Sequence, residues 1–428
     1  MGWRTISELY RGSEEIRKGG GGMRKVKIII GANFGDEGKG MMTDFFAAKA
    51  DISEGILVIC SNGGAQRGHT VKTPDGIRHV FHHFGSGMMV GADTWLPGYF
   101  ILNPMIFMNE YEELQSQFVT LPKIYLCEDS PVTTPFDMII NQIVEQHRGD
   151  ARHGSCGVGI WETLVRNGAC LGEMMRMSDS ELRKYLKEEC RDYMIKRLKD
   201  LGVEEISDEW MNIIYDWKLV DNYILDFKLM CRMTEVRGAD IMDDYGTVIY
   251  EAGQGLLLDR NRKEYGCNTT PSNTGLRNPA EMIREYIHRK NAEASLEQGI
   301  RPHTKIDVEV CYVTRSYLTR HGAGKFEGEC DKAEINAAMT DLTNVPNPYQ
   351  GTIRYGKLDP EAFMNRIRED FDSERFPDEC EARMSIALTH LNEYDSPISE
   401  IADYISDGET REDIYPVKGR DDYFRKTA

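Results

Sequence analysis

Two acidic side chains and one basic side chain lie inside a glycine-rich turn near the start of the sequence. The turn runs from Gly35 to Gly40 and contains Asp36, Glu37 and Lys39. Glycines let a backbone approach phosphate oxygens closely, a lysine can offset phosphate charge, and a carboxylate can accept a proton or bind Mg²⁺. These residue types predict a phosphate cradle with acid–base capacity. A plain surface turn with a solvated Lys39 is the alternative.

The neighbouring elements are those that such a cradle needs. Val26 to Ile30 has the β-branched, apolar composition of a buried strand, and an amphipathic pattern from Gly40 onward predicts a helix. A strand, a glycine loop and a helix in this order direct backbone N–H groups and the positive helix end toward an anion. The turn is not a standard P-loop, because Asn33 stands where that pattern has glycine and Gly40 where it has a hydroxyl.

Further glycine-rich loops follow later apolar runs. One of them contains His69, and another contains Gln254, whose amide suits a nucleobase edge. A third loop carries Ser155 and Cys156 between glycines. Loops at successive strand ends predict an α/β fold with a central, mostly parallel sheet flanked by helices, and a functional site at the carboxyl edge of that sheet.

Composition and charge exclude several classes of protein. The 428 residues carry a formal net charge of -18 and a pI near 5.1, so neither nucleic acid nor a membrane surface is an expected partner. The ten cysteines show no C-x-x-C spacing, which favours reduced thiols over a zinc site or a disulfide framework. No signal-type stretch and no run of membrane-spanning length is evident, so a cytoplasmic protein is expected.

Domain organisation is predicted to be simple. Residues 1–22 end in four glycines and are expected to be a flexible N-terminal extension. Residues 23–428 are expected to form a single domain with a helical insertion at about 174–235, where Ser178 and Glu181 have the spacing of a capping box.

Two of these loops resemble the signatures of the adenylosuccinate synthetase family, which joins L-aspartate to IMP with GTP as the phosphoryl donor. The segments are Gly35 to Gly40 and Gly64 to Thr70, and the similarity extends from about Lys25 to Arg411. The resemblance implies that Asp36 is the catalytic base and that His69 is the catalytic acid.

The same resemblance assigns the remaining ligands. It implies a Mg²⁺ ion held by Asp36 and Gly68, and a catalytic role for Lys39 in offsetting phosphate charge. It also implies a homodimer in which Arg166 reaches the IMP phosphate in the partner subunit. The residues expected to bind nucleotide or phosphate are Gly35, Glu37, Gly38, Gly40, Gly68, Thr70, Ser155, Cys156, Arg166, Gln254, Thr270, His390, Asn392 and Gly408.

The implied chemistry accounts for these residue types. The 6-oxo group of a purine is a poor leaving group, so the nucleotide is phosphorylated at O6 and the amine of aspartate then displaces phosphate. Removal of the N1 proton, the role implied for Asp36, makes O6 nucleophilic. His69 would stabilise charge on O6 and on the phosphoryl group during transfer.

Three segments depart from the family pattern and leave the nucleotides open. One is the IMP-phosphate loop, which has Cys156 where a Thr is typical and Ser155 as the obvious hydroxyl. The family reads guanine with Thr-Lys-x-Asp, whereas this chain has Thr389-His390-Leu391-Asn392, so ATP or dATP competes with GTP as the donor. The aspartate loop, Val345 to Gly356, offers a single arginine, Arg354, which we expect to bind L-aspartate together with Thr352.

The choice of purine depends on Asp36. Leu342 to Val345 resembles a phage branch of the family that succinylates dGMP, but that branch replaces the signature Asp with a small residue to admit the 2-amino group. We therefore expect a ligase acting on IMP or a dIMP-like nucleotide, with (d)GMP as the alternative. A nucleotide-binding sensor or scaffold without ligase activity is a second alternative, and a P-loop GTPase or kinase is disfavoured by the missing hydroxyl after Lys39.

Overall fold

The computed structural model describes residues 23–296, 305–339 and 351–417. Strands β1 to β15 are, in chain order, Lys25–Gly31, Ile56–Cys60, His69–Lys72, Arg78–Phe81, Asp93–Leu96, Ile124–Leu126, Glu235–Val236, Thr247–Gly255, Ile306–Arg315, Leu318–Arg320, Glu329–Cys330, Arg354–Gly356, Cys380–Thr389, Tyr404–Ser406 and Ile414–Pro416. Helices α1 to α12 are Lys39–Lys49, Pro104–Gln117, Pro135–Arg148, Ile160–Arg166, Leu171–Arg176, Asp179–Lys184, Arg191–Asp200, Asp208–Tyr215, Trp217–Met233, Arg277–Leu296, Lys332–Asn336 and Pro360–Ser373.

One ten-stranded sheet, in the order β15-β14-β13-β9-β1-β8-β2-β5-β6-β7, forms the centre of the molecule. Every neighbouring pair is parallel except β14 and β15. Strand β1 lies between β8 and β9, and Val26 and Ile28 to Ile30 are fully buried. The predicted α/β class, with its mostly parallel sheet, is confirmed.

Apolar side chains cover both faces of this sheet. Ile28 and Ile30 of β1 point into a cluster with α10 and α12, whereas Ile29 points into the cluster that holds α1. This alternation is the period of two expected of a strand buried on both faces. The packing fixes α1 on the sheet, so that its first turn lies at the carboxyl end of β1.

Helices occupy the region where the sequence predicts a helical insertion. The backbone N–H of Ser178 donates to Glu181 at 2.8 Å at the start of α6, as the capping box predicts. Leu182, Met194 and Leu198 are buried in a third apolar cluster with α2 and α3. A π-helical turn, Tyr185–Cys190, joins α6 to α7.

The structure also bears on the predictions for the chain ends, the cysteines and membrane-spanning segments. Residues 1–22 and the segment Leu342 to Val345 lie outside the described residues. Toward the end of the described residues, the long strand β13 is followed by the short strands β14 and β15. All ten cysteines are free thiols in the structure. Within the described ranges, no helix is long and apolar enough to cross a bilayer.

Candidate active site

The carboxyl ends of β1, β8 and β13 bring three loops into contact. A Cβ on Gly35 would lie 2.9 Å from the Cα of Gln254, so the backbone of the turn after β1 touches the last residues of β8. Thr389, at the end of β13, donates its hydroxyl to the carbonyl oxygen of Glu37 at 3.0 Å. Loops that are distant in sequence therefore surround one edge of the sheet, where parallel sheets bind ligands.

The turn after β1 is braced from within by Glu37. Its Oε1 accepts the backbone N–H groups of Asn33 at 3.0 Å and of Gly35 at 2.8 Å. Gly38 has a φ of 91°, a left-handed conformation that favours glycine, and directly precedes α1. Glu37 thus holds the shape of the cradle through its carboxylate.

Lys39 is buried beneath the turn, with only 1% of the side chain exposed. Its Nζ donates to the carbonyl oxygen of Gly35 at 2.5 Å and lies 3.7 Å from Oε2 of Glu37. Burial lowers the pKa of Lys39 and raises the pKa of Glu37, while the attraction between the two charges partly offsets both shifts. A positive charge held in this poorly solvated place attracts phosphate more strongly than one in water.

Asp36 lies at the outer side of the turn, with 28% of its side chain exposed. Its Oδ2 is 3.2 Å from Nε2 of His321, and Arg315 donates to its backbone carbonyl. Burial alone would raise the pKa of Asp36, but the hydrogen bond and charge of His321, with the charges of Arg315 and Lys39, lower it to about 2. The carboxylate is therefore ionised at neutral pH, as a general base must be.

His69 begins β3 and is buried against α1. Gly40 permits this approach, because a Cβ there would lie 3.1 Å from the Cβ of His69. Nδ1 of His69 lies 2.7 Å from Oε1 of Glu251 in β8. Burial lowers the pKa of His69 to about 4, although Glu251 acts in the opposite direction. The imidazole is therefore neutral near pH 7, with Nδ1–H donating to the carboxylate and Nε2 left as an acceptor.

Glu251 is a site residue that sequence reasoning missed. It is fully buried, and its Oε2 accepts Nη2 of Arg67 at 3.0 Å and the backbone N–H of Ser86 at 3.1 Å. Burial would raise the pKa of Glu251, but Arg67 and His69 hold it below its ordinary value. The available signal was an acid directly after the apolar run Val248 to Tyr250, because a carboxylate in a buried strand needs partners.

A cavity of about 430 Å³ opens beside the cradle, within the size range of small-molecule pockets. Four of the predicted residues line it, namely Ser155, Cys156, Gln254 and Thr270. Burial raises the pKa of Cys156 to about 11, which keeps its thiol uncharged. The lining residues that the sequence analysis did not assign include Phe34, Gln66, Arg148, Arg197, Arg320 and His321.

Two glutamines of the cavity have buried amide atoms without partners. A Cβ on Gly63 would lie 3.1 Å from Oε1 of Gln254 and 3.3 Å from Nε2 of Gln66, so both side chains converge there. In the part of the chain that the structure describes, Oε1 of Gln254 and both polar atoms of Gln66 have no hydrogen-bond partner. Buried unsatisfied amides are costly, so their presence in a cavity wall indicates a polar ligand.

The side chains expected to bind L-aspartate are engaged or exposed. Arg354 makes a bidentate pair with Glu329 at 2.6 and 2.7 Å, and its Nη1 donates to the carbonyl oxygens of Gly322 at 3.2 Å and Gly324 at 2.9 Å. In this conformation Arg354 supports the loop that carries His321. Thr352 is exposed before β12.

Arg166, at the end of α4, is turned into its own chain. Its Nε and Nη2 donate to Asp137 at 2.8 and 3.0 Å, Nη2 donates to the carbonyl oxygen of Val132 at 2.9 Å, and Nη1 donates to the hydroxyl of Tyr185 at 2.6 Å. Only 5% of the side chain is exposed. The guanidinium is thus used within the protomer, so it would have to leave Asp137 before it could reach a partner.

His390 and Asn392, in the segment expected to read the base of the phosphoryl donor, follow β13, and Gly408, also expected to bind nucleotide or phosphate, follows β14. His390 has a φ of 62°, and its Nδ1 lies 2.8 Å from Oγ1 of Thr389. Asn392 is exposed, and Gly408 follows β14. This segment adjoins the cradle, because a Cβ on Gly38 would lie 3.2 Å from Cγ2 of Thr389.

The residues around the cradle fit a Mg²⁺ ion bound together with phosphate. Mg²⁺ in nucleotide enzymes is commonly held by one or two carboxylates, waters and substrate phosphates. Asp36 offers a partly exposed, ionised carboxylate. Gly68 is exposed and directly precedes His69, which Thr70 follows. Among the described residues, no group of three or more His, Cys, Asp or Glu side chains could hold a metal ion by itself.

Comparison with known proteins gives the same family from the sequence. The family model described as adenylosuccinate synthetase matches residues 28–359. An adenylosuccinate synthetase of Synechocystis sp. is 28% identical over 328 residues, which are 73% of this chain and 65% of that protein. The enzyme of Alkaliphilus metalliredigens is 28% identical over 309 residues, or 71% of this chain and 65% of that protein. The matched part of the chain therefore spans just under two thirds of these relatives.

Solved structures give the same fold. Fully ligated adenylosuccinate synthetase from Plasmodium falciparum has a TM-score of 0.63 at 18% identity, covering 92% of this chain and 100% of that one. Succinoaminodeoxyadenylate synthetase of cyanophage S-2L, bound to dGMP and dATP, has a TM-score of 0.57 at 13% identity, covering 93% and 97%. Since the family model extends over more than half of the sequence, the chain belongs to the adenylosuccinate synthetase family.

Proposed function

We propose that this protein joins L-aspartate to C6 of IMP or a dIMP-like nucleotide through a 6-phosphoryl intermediate, driven by ATP or GTP. The observation that carries this proposal is the ionised Asp36 carboxylate beside a cavity lined by Gln254 and Gln66. The product would be adenylosuccinate or its deoxy form. Family membership supports the reaction type, and the retained Asp36 supports a purine without a 2-amino group.

Asp36 and Lys39 have different roles in the proposed phosphoryl transfer. Asp36 accepts the N1 proton of the purine, which places negative charge on O6 for attack on the γ-phosphate. Lys39 supplies positive charge to the cradle, and the N-terminal end of α1, which begins at Lys39, adds the positive end of the helix dipole. Mg²⁺, when bound at Asp36 and Gly68, would supply further charge stabilisation.

His69 enters the reaction as a neutral imidazole. Because Glu251 accepts from Nδ1, the other nitrogen, Nε2, must take up a proton from solvent before it can donate to O6. Glu251 then stabilises the imidazolium so formed, as a carboxylate does in a catalytic triad. This arrangement suits a group that stabilises charge developing on O6.

Thr352 and Arg354 are proposed to bind L-aspartate, which requires a rearrangement of Arg354. Arg354 can clamp a carboxylate only if it releases Glu329, since its planar fork is occupied by that pair. A substrate carboxylate would therefore exchange with Glu329, and the loop with Gly322 and Gly324 would move with it.

Coupled assays with L-aspartate test the proposal. IMP, dIMP, GMP and dGMP would each be combined with ATP, dATP and GTP, and phosphate release and product mass would be measured. We expect turnover with IMP or dIMP. Turnover of dGMP alone would contradict the choice of purine.

A (d)GMP–aspartate ligase is the second candidate, giving a 2-amino-(deoxy)adenylosuccinate. Asn392 in place of the family carboxylate favours a donor other than GTP, and the cyanophage neighbour is bound to dGMP and dATP. A nucleotide-binding protein without ligase activity is the third, and it would be identified by nucleotide binding with no phosphate release in any combination.

A further inference from the structure

His321 is a cavity residue that contacts Asp36 and that has no role in the chemistry described above. Its Nε2 lies 3.2 Å from Oδ2 of Asp36, and 23% of its side chain is exposed. The side chain also lines the cavity, so it lies between the open volume and the carboxylate. A purine that enters the cavity and brings N1 to Asp36 therefore lies against His321.

His321 and His69 reach the site from opposite sides of β1. Asp36 follows β1, which lies between β9 and β8 in the sheet. His321 follows β10, the strand directly after β9, and Arg315 at the end of β9 donates to the carbonyl oxygen of Asp36. His69 is held by Glu251 of β8. The turn that carries Asp36 thus has His321 on its β9 side and His69 on its β8 side.

Contacts on both sides of His321 hold its loop against the turn after β1. The guanidinium of Arg320 lies over the ring of Phe34, a residue of that turn, 4.6 Å from the ring centroid. On the other side, Nη1 of Arg354 donates to the carbonyl oxygen of Gly322 at 3.2 Å. The position of the imidazole is therefore fixed by its neighbours in the chain as well as by its own contact.

The contact determines which nitrogen of His321 carries hydrogen. An ionised carboxylate only accepts hydrogen bonds, so Nε2 of His321 is the donor to Oδ2 of Asp36. The imidazole thereby takes the place beside Oδ2 that a donor of the ligand would otherwise use. Oδ1 is the oxygen left for the N–H group at N1 of the purine.

One occupied oxygen changes which purine the carboxylate can bind. Guanine presents N1–H and an N–H of the 2-amino group side by side, and a free carboxylate accepts both through its two oxygens. Hypoxanthine presents N1–H beside C2–H, so it needs only one oxygen. When His321 donates to Oδ2, the amino group of guanine meets another donor and lacks its acceptor.

The proposed function sets the orientation of the base, with N1 at Asp36 and O6 at His69. Because N1 is bonded to C2 on one side and to C6 on the other, C2 points away from His69 and toward His321. We propose that His321 determines specificity at position 2 of the purine, where it selects hydrogen over an amino group by occupying Oδ2 of Asp36. This inference rests on the proposed function for the orientation of the base, but nucleotide binding alone tests it.

Calorimetric titration compares IMP with GMP, and dIMP with dGMP, in buffer without Mg²⁺ or L-aspartate. Each pair differs only in the 2-amino group. Replacing His321→Leu frees Oδ2, so the preference for IMP over GMP should fall by about 10- to 100-fold, the range expected for one buried donor that loses or gains its acceptor. The preference for dIMP over dGMP should fall alike. His321→Gln keeps an N–H donor and should retain most of both preferences.

His288→Leu is the matched control, because it makes the same substitution at an exposed position of α10. It should leave all four affinities unchanged. Near-UV circular dichroism checks that each variant is folded. If His321→Leu does not fold, His321→Met supplies a second flexible, apolar side chain without an N–H donor.

The outcomes separate this inference from the proposed function. An unchanged preference in His321→Leu, an equal change in His288→Leu, no measurable binding of IMP, or GMP bound by the unmodified protein at least as tightly as IMP would each overturn the inference. A preference for IMP that depends on His321, with no phosphate release in the coupled assays, would overturn only the ligase proposal. Turnover of IMP with L-aspartate, together with a preference that does not depend on His321, would overturn only this inference.

Discussion

The two sides of the site neutralise their charges in different ways. On the cradle side, Lys39, Glu251 and Arg67 have side chains at most 1% exposed, and each charge has a partner inside the protein. On the cavity side, Arg148 and Arg197 are 29% and 22% exposed and keep donors that no described residue uses. The buried side is organised before a ligand arrives, which is what electrostatic catalysis requires, whereas the open side is suited to capturing one.

The largest expected loss of stability comes from replacing Glu251 on the buried cradle side. Replacing Glu251→Gln leaves Arg67 buried beside a neutral amide and removes the carboxylate that holds His69. Loss of one partner of a buried pair costs about 3–5 kcal/mol of unfolding free energy, measurable by urea denaturation. Glu329→Gln, which breaks the partly exposed pair with Arg354, should cost about 1 kcal/mol or less. Equal losses in the two variants would contradict the contrast between a buried network and an open rim.

The next effect is the pH dependence of the unfolding free energy that the titration of His69 causes. Its pKa is lowered to about 4 in the folded protein, against about 6.5 in an unfolded chain. Between these values the unfolded chain binds more protons, so stability falls as the pH falls from about 6.5 to about 4, by about 3 kcal/mol at the lower limit.

Replacing His69→Gln should remove this part of the pH dependence. Unfolding free energies measured from pH 7 to pH 4 would be subtracted between the variant and the unmodified protein, which cancels the other titrating groups. A difference that does not change with pH would show that the imidazole is not held neutral by burial.

The smallest effect concerns the contact between Thr389, at the end of β13, and Glu37 in the cradle. Thr389→Val removes the hydrogen bond from Oγ1 to the carbonyl oxygen of Glu37 and should cost about 1 kcal/mol of unfolding free energy. Thr352→Val, at an exposed position, is the control and should be near neutral. A loss as large as that of Glu251→Gln would mean that the contact with β13 belongs to the buried network of the cradle.

The cradle side was predictable in part because its signals are local. Gly35 to Gly40 follows β1 directly, and the strand, glycine turn and helix are all visible within a short stretch. The same holds for Gln254, which follows an apolar run. The parallel α/β pattern predicts the type of sheet but not the complete strand order. The positions of β14 and β15, for example, depend on tertiary contacts.

The remaining site residues depend on partners that lie far away in the sequence. Glu251 and His69 are in contact although they lie 182 residues apart in the sequence. The residues next to each of them do not indicate which side chain is the partner. The contacts of His321 with Asp36 and of Arg354 with Glu329 depend on the conformation of the loops around β10 to β12. The roles of such side chains follow from tertiary packing, so sequence patterns identify the residue types but not their partners.

Asp36 provides the most direct test of the proposed chemistry. In Asp36→Asn, the amide keeps the shape of the side chain but cannot take the N1 proton, so kcat with L-aspartate, IMP and the best donor should fall by about 10²- to 10⁴-fold. IMP binding, measured by calorimetry on the same sample, should stay close to that of the unmodified protein. Turnover within about tenfold of the unmodified protein, with binding intact, would contradict the assignment of Asp36 as the base.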